Sequence, residues 1–336
     1  MTATRYRLSA IVAALLLALG QPALAESAQL RLMRPLDLVA LPLLVVEHEH
    51  LIERTAEAMG LGTVSVIWSA PGQTSPIEAL AAGASDLVAA DLAPFLLAAD
   101  ATAGTPEEVR ALGALAQLPY VLVTRNPAVH TIRDFAAADR IAVPEVKISG
   151  PALMLELAAA QEWGPEHYNK LDPLMVTRPD AAAAAALLAG KAEINTHFSR
   201  TPYADDELAN PAIHRVMDSF DIAGPHSAAV LAATLRFRAA NPRLCAAVLS
   251  ALQEAGDFIK SNPGAAAEIF AAMVKDQDTP IEELTDMIGD PDLAYRAAPV
   301  GVMRLIDFML RVGRLKRRPA SWQDLFLPEA RDLSGS

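Results

Sequence analysis

Twice in this chain a helix pattern stops at a glycine and an acidic residue leads into an apolar strand. The first instance is Ala82-Gly83-Ala84-Ser85-Asp86-Leu87 and the second is Ala189-Gly190-Lys191-Ala192-Glu193-Ile194. Each instance closes a run in which strand and helix patterns alternate, and such alternation predicts a parallel sheet with helices on its faces. In the first run, residues 30–33 alternate as a strand and Pro35-Leu36-Asp37 breaks it. Residues 41–59 read as a helix stopped by Gly60, and 64–68 as a second strand leading into the loop 69–74. Ser75, Pro76 and Glu78 then form an S-x-x-E capping box with proline in the first turn, a strong helix start. A third strand, 86–90, ends at Asp91.

The second run repeats the plan. Residues 139–144 form a strand, 146–151 a loop and 152–160 a helix. Residues 174–176 form the next strand. Asp180 caps the helix 181–189, and 193–196 is the strand after Gly190. Two apolar runs, 118–124 and 227–234, flank this second unit and read as crossings between two lobes. The predicted class is therefore α/β, two doubly wound lobes joined by a two-strand hinge. Lobe 1 is predicted as 26–117 plus 235–336 and lobe 2 as 118–234. The C-terminal part is helical, over 242–260, 264–275, 281–288 and 300–312.

The chain of 336 residues, 52% hydrophobic, is long enough for two cores. Its net charge of −12 argues against nucleic acid, because phosphate binding needs a basic surface. Arg5 and Arg7, the apolar stretch 11–19 and Ala23-Leu24-Ala25 have the order of a cleavable signal peptide, 1–25. The expectation is export to the periplasm, and with no cysteine following the cleavage site no lipid anchor is predicted. The lone Cys245 sits in an apolar helical pattern, as a buried structural thiol does.

In sheets of this kind ligands collect at the carboxyl ends of the strands, so the residues there are the site candidates. Thr196 is the predicted strand end in the second unit, and His197, Phe198 and Ser199 follow it. They offer a ring nitrogen, a flat apolar face and a hydroxyl to a ligand, or else a structural turn in which the histidine caps a backbone group. Ser149 and Gly150 open a helix whose N–H groups favour an anion, with Lys147 nearby; an ordinary capped helix with a solvated lysine has the same sequence. Gln73, Thr74 and Ser75 form the facing helix start. Trp68 ends the second strand and Ser69 opens the loop after it; Trp68 either stacks on a ring or packs in the core or at the rim. Asp37 and Asp91 suit a ligand with N–H donors or a cationic amine, and read equally as surface carboxylates. Tyr120 and His226 mark the two crossings.

His48 and His50 point to different sides of a regular helix, so no metal is predicted there. Neither a catalytic signature nor a cofactor motif is present, and no enzyme activity is predicted.

Five segments carry a family resemblance: IEALAAGASDLVAADLAPFLLA (77–98), TIRDFAAADRIAVPEVKISGPALMLELA (131–158), INTHFSRTPY (194–203), LRFRAANPRLCAAVLSALQEAGDFIKSNPGAAAEIFA (235–271) and VGRLKRRPASWQDLF (312–326). Together they resemble the type II periplasmic substrate-binding proteins of ABC importers, in the nitrate/sulfonate/taurine and thiamine-pyrimidine group. Asp139-Arg140 stands where that family usually has Gly-Lys. The resemblance implies a monomeric periplasmic protein that captures a small organic molecule between two lobes and delivers it to an inner-membrane permease. The residues themselves point two ways on the ligand: two helix starts and Lys147 favour a small anion such as a sulfonate or a carboxylate, while Trp68 and Phe198 with Asp91 favour a flat, nitrogen-rich heterocycle. A sensing partner of a receptor is the alternative. A thiamine-pyrimidine synthase-like enzyme is disfavoured, since Cys245 stands alone where those enzymes carry a cysteine-rich segment.

Overall fold

The computed structural model describes residues 26–72, 74–191, 193–275 and 279–336. The expected signal peptide and Gln73 lie outside the described residues. Ten strands are named among them: β1 Gln29–Met33, β2 Ser65–Ser69, β3 Leu87–Asp91, β4 Val109–Gln117, β5 Val121–Thr124, β6 Ile141–Val143, β7 Met175–Thr177, β8 Thr196–Ser199, β9 His214–Asp218 and β10 Ser227–Thr234. The helices before β10 are α1 Leu41–His48, α2 Leu51–Ala58, α3 Pro76–Ala81, α4 Leu92–Thr102, α5 Gly150–Trp163, α6 Asp180–Leu188, α7 Tyr203–Ala209 and α8 Ser219–Ala223. After it come α9 Leu235–Ala240, α10 Pro242–Ser261, α11 Pro263–Val274, α12 Ile281–Ile288 and α13 Val302–Arg311.

The strands make two five-stranded sheets, ordered β2-β1-β3-β10-β4 and β7-β6-β8-β5-β9. The two orders correspond position by position. In each, three parallel strands are joined by a fourth that runs antiparallel, β10 beside β3 and β5 beside β8. The sheets are therefore mixed rather than all parallel. The paired glycine stops are also one motif. Gly83 and Gly190 have φ of +66° and +65°. Gly83 N–H donates to the Leu80 carbonyl and Ala84 N–H to that of Ala79, while Gly190 and Lys191 donate likewise to Leu187 and Ala186. A left-handed residue without a Cβ closes both helices and turns the chain into the next strand.

Three expectations need correction. The helix predicted over 41–59 is two helices, because His50 adopts φ of +52° between α1 and α2. The helix predicted over 152–160 starts earlier, at Gly150, and runs on to Trp163. The run 227–234 is not a crossing: β10 lies inside the first sheet, every residue buried, between β3 and β4. An apolar run of small residues has the same composition whether it crosses between lobes or completes a sheet, so local pattern could not separate the two. The chain passes between sheets at 118–120 and 219–226 instead. The C-terminal segment adds ties between the lobes: Arg304 donates to the Ala223 carbonyl, and Arg314 to the Lys147 carbonyl and the Glu156 carboxylate.

Candidate functional site

The strand ends of the two sheets face each other across a cavity of about 610 Å³. Pro35, Asp37, Pro71, Asp91 and Pro94 line it from the first lobe, and Glu145, Ile148 and Arg200 from the second. On its wall is one guanidinium held by three carboxylates. Arg200 Nη2 lies 3.2 Å from Asp37, Nη1 3.6 Å from Asp91 and Nε 3.2 Å from Asp180. Each carboxylate stands where the fold turns. Asp37 follows β1 and accepts the Ala40 N–H, Asp91 ends β3, and Asp180 opens α6. Arg200 follows β8 directly, so the contacts to Asp37 and Asp91 bridge the lobes.

Behind Arg200 is a buried relay. His197 is fully buried, with Nδ1 2.7 Å from Glu207 of α7 and Nε2 3.5 Å from Asp180. Burial disfavours its charged form, but the two carboxylates outweigh that and raise its pKa to about 9. Burial alone would raise Asp180; the His197 and Arg200 contacts reverse that and hold it below its ordinary value. Asp91 goes the other way. Burial raises it, and Asp37 and Asp180 add repulsion that Arg200 offsets only in part. Six groups, Asp37, Asp91, Asp180, His197, Arg200 and Glu207, thus share one electrostatic network.

The two crossings meet in a second cluster. Tyr120 stacks on His226 with ring centroids 5.6 Å apart, and Phe198 meets Tyr120 edge-on at 6.2 Å. The Tyr120 N–H donates to Ser219 Oγ, and Ser219 Oγ lies 2.9 Å from His226 Nε2. Burial lowers the His226 pKa to about 4, which favours the neutral ring beside the Ser219 hydroxyl. This serine–histidine pair is sealed, both residues being at most 2% exposed.

The structure brings eight of the predicted candidates into three groups. Asp37, Ser75 and Asp91 line the cavity. Tyr120, Phe198 and His226 join the aromatic cluster at the crossings. His197 and Ser199 are fully buried within β8. The strand was predicted to end at Thr196, which would have left His197 to Ser199 beyond it. It instead begins there, since the Asn195 side chain takes the Arg140 N–H at 2.9 Å just before the ladder starts. The strand end is therefore Arg200.

The remaining candidates sit elsewhere. Trp68 receives the Arg34 guanidinium over its ring at 5.5 Å, and neither Trp68 nor the exposed Ser69 and Thr74 lines the cavity. Lys147 is exposed, in a left-handed conformation with φ of +70°, and its charge acts on Asp172. Ser149 spends its hydroxyl on the Glu145 carbonyl at 2.7 Å, and Gly150 lies beneath the Tyr120 ring. Missed in the sequence were Arg200, Glu207 and the site role of Asp180. Only the position of Arg200 immediately after a strand could have marked it.

No protein-family model matches the chain, and no curated protein matches its sequence. Solved structures do match. The alkanesulfonate-binding protein SsuA from Xanthomonas axonopodis pv. citri, bound to MOPS, superposes with a TM-score of 0.67 at 18% identity, covering 88% of this chain and 96% of that one. The periplasmic aliphatic sulphonate binding protein SsuA from Escherichia coli gives 0.67 at 16%, covering 90% and 93%. The periplasmic nitrate-binding protein NrtA from Synechocystis PCC 6803 gives 0.67 at 15%, covering 91% and 87%. The chain has the two-lobed α/β fold of these periplasmic binding proteins.

Proposed function

We propose that this protein is the solute-binding component of an ABC importer, working in the periplasm as a monomer after removal of residues 1–25. It captures a small organic molecule between its lobes and presents the closed form to an inner-membrane permease. The observation that carries the reading is the cavity itself: about 610 Å³, lined from both lobes, at the carboxyl ends of the strands. The crossings at 118–120 and 219–226 supply the hinge, and closure gains free energy only from contacts a ligand makes with both sides. Lobe division at the crossings gives 26–117 with 227–336 as one body and 118–226 as the other.

The role is binding rather than turnover. The Ser219–His226 pair has the residues of a nucleophile and base but is buried between the crossings. Sulfonate and nitrate are what the similar solved proteins bind by name; for this chain the reading takes in small organic molecules of either charge, sulfonates, carboxylates and flat heterocycles among them. The test is a thermal-shift screen of such compounds followed by small-angle scattering. A true ligand raises the melting temperature, as any molecule bound only by the folded state does, and reduces the radius of gyration. A ligand that stabilises the protein without compacting it refutes capture by closure.

A further inference from the structure

The proposed solute role leaves the ligand's charge open, and three features of the cleft bear on it. The first is the lining. Asp37, Glu78, Asp91 and Glu145 contribute carboxylates to the cavity, and among the described residues Arg200 is the one basic residue lining it. The second is the state of that arginine. Its Nε, Nη1 and Nη2 each face a different aspartate, so an incoming anion would have to displace a carboxylate already in place and then remain beside it. The third is the fate of the anion-binding devices that strand–helix turns usually provide. At α3 the Ser75 N–H donates to Glu78 at 2.9 Å and the Glu78 N–H to Ser75 at 3.3 Å, so the helix start carries its own carboxylate. At α5 the first residue is covered by the Tyr120 ring, whose hydroxyl would lie 2.5 Å from a Cβ on Gly150. Lys147 does not line the cavity.

The rest of the wall is apolar: Pro71, Ile77, Pro94, Leu97 and Ile148. We infer, on the basis of the solute-binding reading, that the cleft selects an organic cation. A positively charged nitrogen sits against Asp37 and Asp91 and shares them with Arg200, while an apolar body fills the space along Ile77, Pro94 and Leu97. Asp91 fits the role best. It makes the longest of the three contacts to Arg200 and has the most exposed of the three carboxylates, at 33%. It is also held above its ordinary pKa, so a cation that settles beside it relieves a repulsion already present.

The experiment uses matched probes that differ in charge on a common ring: benzylammonium and benzamidinium against benzoate and benzenesulfonate. Binding to the full protein is measured by calorimetry, with Asp91→Asn alongside. The cations bind and the anions do not, and Asp91→Asn weakens the cations about tenfold or more, the usual loss when one partner of a charged hydrogen bond is neutralised. The melting temperature of Asp91→Asn without probe shows that the variant is folded. Anions that bind the wild type, and bind Asp91→Asn more tightly, overturn the inference while leaving the solute role intact. Failure of every probe, in both arms, counts against the solute role as well.

Discussion

His197 gives the most exact prediction. Its ring is fully buried between Glu207 and Asp180, and its pKa is raised from 6.5 to about 9. The folded state therefore holds the imidazole proton more tightly than the unfolded chain. The stabilisation is fully present below pH 6.5 and is lost as the pH rises through about 9. At about 1.4 kcal/mol for each tenfold change in proton affinity, the gap amounts to roughly 3 kcal/mol, a large share of a typical total of about 5–15 kcal/mol. The assay is urea denaturation of the wild type and His197→Asn from about pH 6 to about pH 10. The difference between the two profiles cancels the titrating groups that do not interact with His197. The wild type's advantage is expected to shrink by about 3 kcal/mol across that range. His197→Asn also leaves Glu207 and Asp180 buried together, so His197→Asn with Glu207→Gln is expected to cost less than the sum of the two single changes. A difference profile that stays flat between pH 6.5 and about 9 would refute a charged imidazole at this site.

Three further perturbations probe the rest of the network. Gly150→Ala places a methyl 2.5 Å from the Tyr120 hydroxyl and 2.9 Å from its ring, which His226 and Phe198 hold in place; a loss of about 1–3 kcal/mol is expected, and an unchanged melting temperature would show that the ring yields freely. Arg314→Met strands the buried Glu156, whose pKa burial already raises to about 7 despite Arg314; a cost of about 3–5 kcal/mol is expected at about pH 8, and a smaller one at about pH 5 where Glu156 is protonated, so equal costs would contradict the pairing. His226 has its pKa lowered to about 4, so its contribution is present above pH 6.5 and lost as pH falls toward 4; NMR titration of its ring should show no protonation at about pH 5.5, and a midpoint near 6.5 would refute the buried neutral ring.

What was legible in the sequence was local. The Ser75–Glu78 capping box forms as its spacing requires, and the glycines at 83 and 190 stop two helices in the same way because only a residue without a Cβ takes that turn cheaply. What was not legible depended on distant partners. β10 is central because β3 and β4 pair with its two edges, which its own Ala-rich letters do not encode. The start of β8 was misplaced because Asn195 substitutes a side-chain bond for a backbone one. Arg200 escaped notice because its meaning lies in Asp37, Asp91 and Asp180, which come together only once both sheets exist. Asp139 illustrates the same limit: read as the first residue of a strand, it lies before β6, 2% exposed, and accepts hydrogen bonds from Asn126 and Asn195.

The position of β10 also orders events during synthesis. The strands of the second sheet all lie between residues 121 and 218, so that sheet can be completed as soon as this stretch is made. The first sheet cannot. β3 and β4 are not paired to each other, and both wait for residues 227–234 to slide between them. Until then two apolar edges stand open in a lobe begun earlier but finished later. Unpaired strand edges are where chains join the wrong partner, so the first lobe, not the second, is the part of a nascent molecule that most needs to be kept unfolded.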